Sequence, residues 1–125
     1  MTARDVELYA ELTGDRNPLH FDPEFTAATR FRRLVAQGGI TAGMLNALVA
    51  MDLPGPGTVF MSQSLRYLAP TYLGDTLTAE VEVLAVKPDK PVCQLRATVT
   101  NQDGTVVLEG ECWTYTMRPS GAAVS

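Results

Sequence analysis

Apolar and polar positions change their period once along this chain, near residue 55, and the change separates a helical first part from a stranded second part. Val6, Tyr9 and Ala10 recur at i, i+3 and i+4 and predict a short amphipathic helix. Thr2 is its expected cap, Asp5 completes a capping box three residues on, and Gly14 supplies the stop. Asp22 followed by Pro23 predicts a second short helix reaching about Thr29. From Leu34 to Met51 there is no charged residue, and a long apolar helix is expected from about Gly39 to Met51, buried on most sides.

The sequence LPGPG at 53–57 ends any helix, and alternation with period two takes over. Residues 58–68 read as a first strand. In residues 76–87, Thr78, Glu80 and Glu82 fall on one face and Leu77, Ala79, Val81 and Val83 on the other. Residues 92–100 turn Cys93, Leu95, Ala97 and Val99 inward, and the turn Asn101–Gly104 closes a hairpin with residues 105–117. One long apolar helix and one sheet pack most economically as an α+β fold, a curved antiparallel sheet wrapped around the helix. Four strands make a thin sheet with an uncovered edge, so dimerisation is expected. Residues 1–118 read as a single domain and 119–125 as a frayed tail.

Composition narrows the function. A chain of 125 residues has no room for a separate cofactor domain, so an active site must be compact or shared with another subunit. The net charge of −4 argues against nucleic acid as a partner. Arg30, Arg32 and Arg33 form the one local basic cluster, which is either a solvated turn or a group that meets a ligand phosphate. Cys93 and Cys112 with a single histidine do not make a zinc site, and free thiols in a reducing compartment are expected. The opening MTARDVELYAELTG carries charges throughout and lacks an apolar leader region, so a cytoplasmic location is the default expectation. The charge-free run from Leu34 is broken by Gln37, Gly38 and Gly39, which argues against a membrane span.

The chemistry concentrates in TGDRNPLHFDP, which contains the only histidine. Pro18 prevents a preceding helix from continuing and pushes Asn17 toward extended geometry, so this is a constrained loop. Asp15 and His20 stand five residues apart, and a kinked loop can converge them on one water. A carboxylate and a neutral imidazole so placed form a general-base pair. The alternative is turn chemistry alone, with Asp15 and Asn17 satisfying the loop and His20 a half-buried aromatic. Gly38 and Gly39 open the buried helix, where unpaired amides and the helix dipole favour a carbonyl oxygen that gains charge. They serve equally well as small residues that let the helix entry pass close to the sheet.

The runs GDRNPLHFDPEFTAATRF, VAQGGITAGML and LPGPGTVFMSQSLRYLAPTYLGDTLTAEVEV closely resemble the MaoC-like hydratases, the R-specific enoyl-CoA hydratases of the hot dog superfamily. The resemblance covers roughly residues 6–117, and GDxNPLH is its most specific element. It implies a hot dog fold working as a dimer, in which Asp15 and His20 jointly hold and activate water. That water adds across the double bond of a 2-enoyl thioester to give a (3R)-hydroxyacyl product, or leaves in the reverse reaction. The Gly38 amide would receive the thioester oxygen, Asn17 would brace the loop, and Gln37 and Gly39 would border the substrate. Ser62, Gln63, Ser64 and Leu65 would line the acyl pocket. No metal or redox cofactor is implied, because the thioester itself acidifies C2.

Two departures from the family pattern stand out. Members usually carry histidine where this chain has Gln37, an amide that hydrogen-bonds without charge. They also usually begin with a further strand before the first helix. Either the true start lies upstream, or the sheet is one strand short and leans harder on its partner. A hot dog thioesterase is a competing expectation, but many of those place a carboxylate on or near the central helix and residues 34–51 have none. A non-catalytic acyl-thioester binding subunit is a third. The carrier, coenzyme A or acyl carrier protein, stays open, with Lys87, Lys90 and the arginines near residue 32 able to meet either.

Overall fold

The computed structural model describes residues 1–119 and carries four helices followed by four strands. The first helix, α1, spans Ala3–Thr13, with the Thr2 side chain accepting from the Asp5 amide and Gly14 closing it in the left-handed conformation. Two short turns follow, α2 (Pro18–Phe21) and α3 (Pro23–Ala27). The long helix α4 covers Gly38–Met51. The strands are β1 (Thr58–Tyr67), β2 (Thr78–Val86), β3 (Val92–Thr100) and β4 (Val106–Thr116). The expected tail lies, from residue 120 on, outside the described residues.

All pairings are antiparallel and the sheet order is β1-β4-β3-β2, so β3 and β4 are central and β1 and β2 are edges. One face of the sheet packs on α4. Leu45 meets Ala97, Val99, Val107 and Leu108, while Val49 meets Leu95 and Cys112. This is the arrangement of helix and sheet that the change of period predicts, the layout of a hot dog fold.

Three details differ from the sequence reading. Val83 pairs with the buried Leu95 and so keeps the face that alternation gives it, yet on the edge strand β2 it is 40% exposed, just before the register shifts between Val83 and Ala85. Residues 18–21 are helical: Pro18 sits at the first helical position, where its missing N–H costs nothing, and Asn17 caps the turn. Helix α4 is buried along only one stripe, Thr41, Leu45 and Val49, while Met51 on its outward side is 68% exposed. Among the described residues no helix is long and apolar enough to cross a membrane.

Candidate active site

The segment between α1 and α4 is ordered by its own polar side chains. The Thr13 hydroxyl donates to the Tyr9 carbonyl and accepts from the Asp15 amide; Asp15 Oδ1 accepts from the Asn17 amide, and Asn17 Oδ1 from the Leu19 amide. Asp22 then caps α3 by accepting from the amides of Glu24 and Phe25. Arg16 clamps the loop onto α1 through Glu7, at 2.9 Å between Nη2 and Oε1. The hydrogen bond from Arg16 holds the Glu7 carboxyl below its usual range and raises the Arg16 guanidinium.

This scaffold turns Asp15 and His20 toward one another. His20 Nε2 lies 3.8 Å from Asp15 Oδ2, too far for a direct hydrogen bond and within the span that one water donating to both bridges. The His20 Nδ1 lies 2.6 Å from the Val35 carbonyl. A carbonyl only accepts, so Nδ1 carries a proton, and in the neutral ring Nε2 then presents its lone pair toward Asp15. Burial differs across the pair, since the imidazole side chain is 10% exposed and the carboxylate 41%. The arrangement keeps the imidazole out of bulk water while the carboxylate remains reachable. Val35 itself is fixed by its amide bonding to the Leu19 carbonyl and by a bridge to Tyr72.

Gly38 is the first residue of α4 and lines a cavity of about 400 Å³ with Leu19, Val35, Thr41, Tyr67 and Val107. His20 borders a second hollow of about 450 Å³ with Val6, Phe21 and Leu34. Val35, Ala36 and Gly38 line the first cavity, and their chain neighbour Leu34 lines the second. Both glycines also have a packing reason. A Cβ on Gly38 would stand 2.6 Å from the Tyr67 ring, and one on Gly39 would overlap the Tyr9 hydroxyl. The two readings of this pair are therefore compatible at Gly38, while Gly39 lies under Tyr9.

Other expected substrate contacts are placed differently. Gln37 is only 2% exposed, and its Nε2 donates to the carbonyls of Val6 (3.1 Å) and Asp15 (3.4 Å), with Oε1 buried and unpartnered. It is a tie between α1 and the Asp15 loop and does not line either cavity. Asn17 spends its side-chain oxygen on the α2 cap, in keeping with a bracing role. Ser62 and Ser64 are exposed and pair in register with Trp113 and Glu111, on the sheet face turned away from α4. Gln63 and Leu65 pair with Cys112 and Gly110 and face the helix: Gln63 donates to Asn46 at 2.9 Å, and Leu65 packs into the core. None of the four meets His20. Tyr67 and Thr41, beside Gly38, were not anticipated; their side chains bear no pattern that marks a cavity wall until β1 is laid against α4. Among the described residues no cluster of three or more histidine, cysteine, aspartate or glutamate side chains is gathered as a metal site would need.

Comparison with known proteins places this geometry in context. Residues 1–106 match the model of the MaoC like domain. An (R)-specific enoyl-CoA hydratase of Aeromonas caviae is 40% identical over 109 residues, covering 87% of this chain and 81% of the relative. A 3-hydroxybutyryl-CoA dehydratase of Methylorubrum extorquens is 41% identical, covering 89% and 70% respectively. The solved structure of the (R)-hydratase from A. caviae involved in PHA biosynthesis superposes with a TM-score of 0.89 at 38% identity, over 94% of this chain and 89% of that one.

Proposed function

The chain belongs to the MaoC-like domain family, and on that premise we propose that Asp15 and His20 carry its chemistry, the addition of water to a trans-2-enoyl-CoA or the reverse dehydration. The reaction class follows from relatives at about this similarity, an (R)-specific enoyl-CoA hydratase and a 3-hydroxybutyryl-CoA dehydratase. The observation that carries the assignment of roles is the 3.8 Å approach of His20 Nε2 to Asp15 Oδ2 with Nδ1 held by Val35.

In this reading one water donates to His20 Nε2 and to Asp15. Its oxygen forms the bond to C3, the pair takes up a proton, and a proton is delivered to C2 on the same face, giving the (3R)-hydroxyacyl thioester. The electrons of the C2–C3 double bond move toward the thioester carbonyl as C3 is attacked. The Gly38 amide, at the positive end of α4, is the donor suited to that oxygen. Dehydration runs the same steps backward. Hydrolysis is disfavoured because α4 offers no carboxylate.

The active unit is a homodimer of a single domain spanning residues 1–118. The uncovered side of α4 and the exposed Val59 and Met61 on the edge strand β1 support this. Free Cys93 and Cys112 suit a reducing, cytoplasmic setting. Incubation with crotonyl-CoA tests the reaction: loss of enoyl absorbance without thiol release is expected, and thiol release without hydration would replace this reading with a thioesterase.

A further inference from the structure

Residues 35–38 touch every part of the candidate site. The Val35 carbonyl accepts from His20 Nδ1 at 2.6 Å, and the Val35 amide donates to the carbonyl of Leu19, the residue before that histidine. Gln37 Nε2 donates to the Asp15 carbonyl at 3.4 Å, and Gly38 carries the first amide of α4. One short piece of backbone thus relates the imidazole, the carboxylate and the oxyanion donor. That piece is itself fixed, because the Ala36 amide donates to the Thr71 carbonyl at 2.8 Å and Val35 bridges to Tyr72.

Asp15 depends on Gln37 more than the rest of the loop does. Its amide bonds to the Thr13 hydroxyl and its Oδ1 to the Asn17 amide, contacts that shape the loop without saying where it stands against α4. Among the described residues, the bond from Gln37 is the one hydrogen bond that reaches Asp15 from more than two residues away. The Arg16–Glu7 pair also draws the loop to α1, but from the surface, with side chains 54% and 37% exposed. Gln37 works from inside, 2% exposed, and its second donation goes to the Val6 carbonyl of α1. Stability alone does not account for an amide here. Its Oε1 is the one buried side-chain polar atom among the described residues without a partner, and burying an acceptor unpaired costs folding free energy that an apolar side chain would not.

We infer that Gln37 is the positioning residue of this site: by holding the Asp15 carbonyl it sets the carboxylate against His20 and the Gly38 amide, and it acts on turnover through Asp15. The inference rests on the roles given to Asp15 and His20 above. A primary amide has two N–H donors and serves both carbonyls at once, whereas a neutral imidazole, the group usual at this position in the family, has one.

The test is a double-mutant cycle on crotonyl-CoA hydration with Gln37→Met, Asp15→Asn and the two combined, with Gln37→His beside them and thermal unfolding of each. Gln37→Met keeps the side-chain length and removes both donors. It should lower kcat about 10- to 100-fold, the loss expected when a reacting group is displaced by about 1 Å, with KM little changed and the melting temperature near that of the wild type. In the Asp15→Asn background the same substitution should take away little more, because the group it positions is gone. Gln37→His, with one donor left, should fall between wild type and Gln37→Met. Full turnover in folded Gln37→Met would overturn the inference, as would an equal fold-loss in both backgrounds or a rise in KM in place of the fall in kcat. If Gln37→Met does not fold, the same cycle run with Gln37→His decides on the same criterion. Near-normal turnover in Asp15→Asn alone would instead remove the reading on which the inference rests.

Discussion

Between Val92 and Thr116 the contacts that hold the chain join residues far apart in sequence, whereas between Thr13 and Phe31 most polar contacts reach two to four residues along. In the sheet, long antiparallel ladders run with one register shift each, and fully buried Leu95, Val99 and Leu108 press on α4. In the loop few apolar side chains are buried, and hydroxyls, amides and carboxylates take the place of a core. The difference teaches that the segment carrying Asp15 and His20 is organised locally and then hung on the fold by a few long-range ties: His20 to Val35, Gln37 to Val6 and Asp15, and Arg16 to Glu7. Stability and activity are thereby lodged in different places, and substitutions should separate them.

The largest effect is expected in the loop. Asp15→Asn and His20→Gln should each lower turnover by about 10²- to 10⁴-fold with the fold intact by circular dichroism; near-normal rates in either folded variant would remove the assigned roles. In the sheet the effect should invert. Leu108→Ala should cost about 2–5 kcal/mol, read by denaturant unfolding, while the protein that remains folded keeps its turnover. Gly38→Ala sits on the boundary, because its new methyl meets the Tyr67 ring. It should lower both stability and rate, and adding Tyr67→Ala should recover the stability alone, as a double-mutant cycle would reveal. Asn17→Ala removes the α2 cap and should cost about 1 kcal/mol, with a fall in kcat larger than the change in KM.

The smallest effect is a pH dependence. Hydrogen bonds from Thr2, the backbone one foremost, hold the Asp5 carboxyl below its ordinary value, and the bond from Arg16 does the same to Glu7. A depressed carboxyl stabilises the fold fully above its unfolded value and loses that contribution as pH falls through the folded one. Acid should therefore loosen α1 and the loop it clamps before the sheet melts. Amide exchange followed residue by residue would check this, and simultaneous loss of protection in α1 and β3 would contradict it.

Much of the sheet was legible because alternation reports burial directly: β3 falls on the residues expected, and the Asn101–Gly104 turn lies where its residues predict. Local rules failed where long-range register intervenes. Val83 alternates inward and pairs with the buried Leu95, yet at the edge of the sheet it stays 40% exposed. The polar run Ser62–Ser64 has no alternation of its own, so only pairing with Trp113 and Glu111 shows that the serines face away from α4. At the site, the Asx turn and the caps were readable from Asp15, Asn17 and Asp22, yet Asn17-Pro18 was a helix start as well as a break. The buried role of Gln37 was not readable, since both carbonyls it serves belong to other segments.

The bond between His20 and the Val35 carbonyl has one more consequence. An imidazole in solution exchanges between two neutral forms, and catalysis that needs one of them must wait for it. Here the backbone has made the choice beforehand, so nitrogen NMR should find the neutral ring in one tautomer, with the bare nitrogen the one that looks toward the carboxylate.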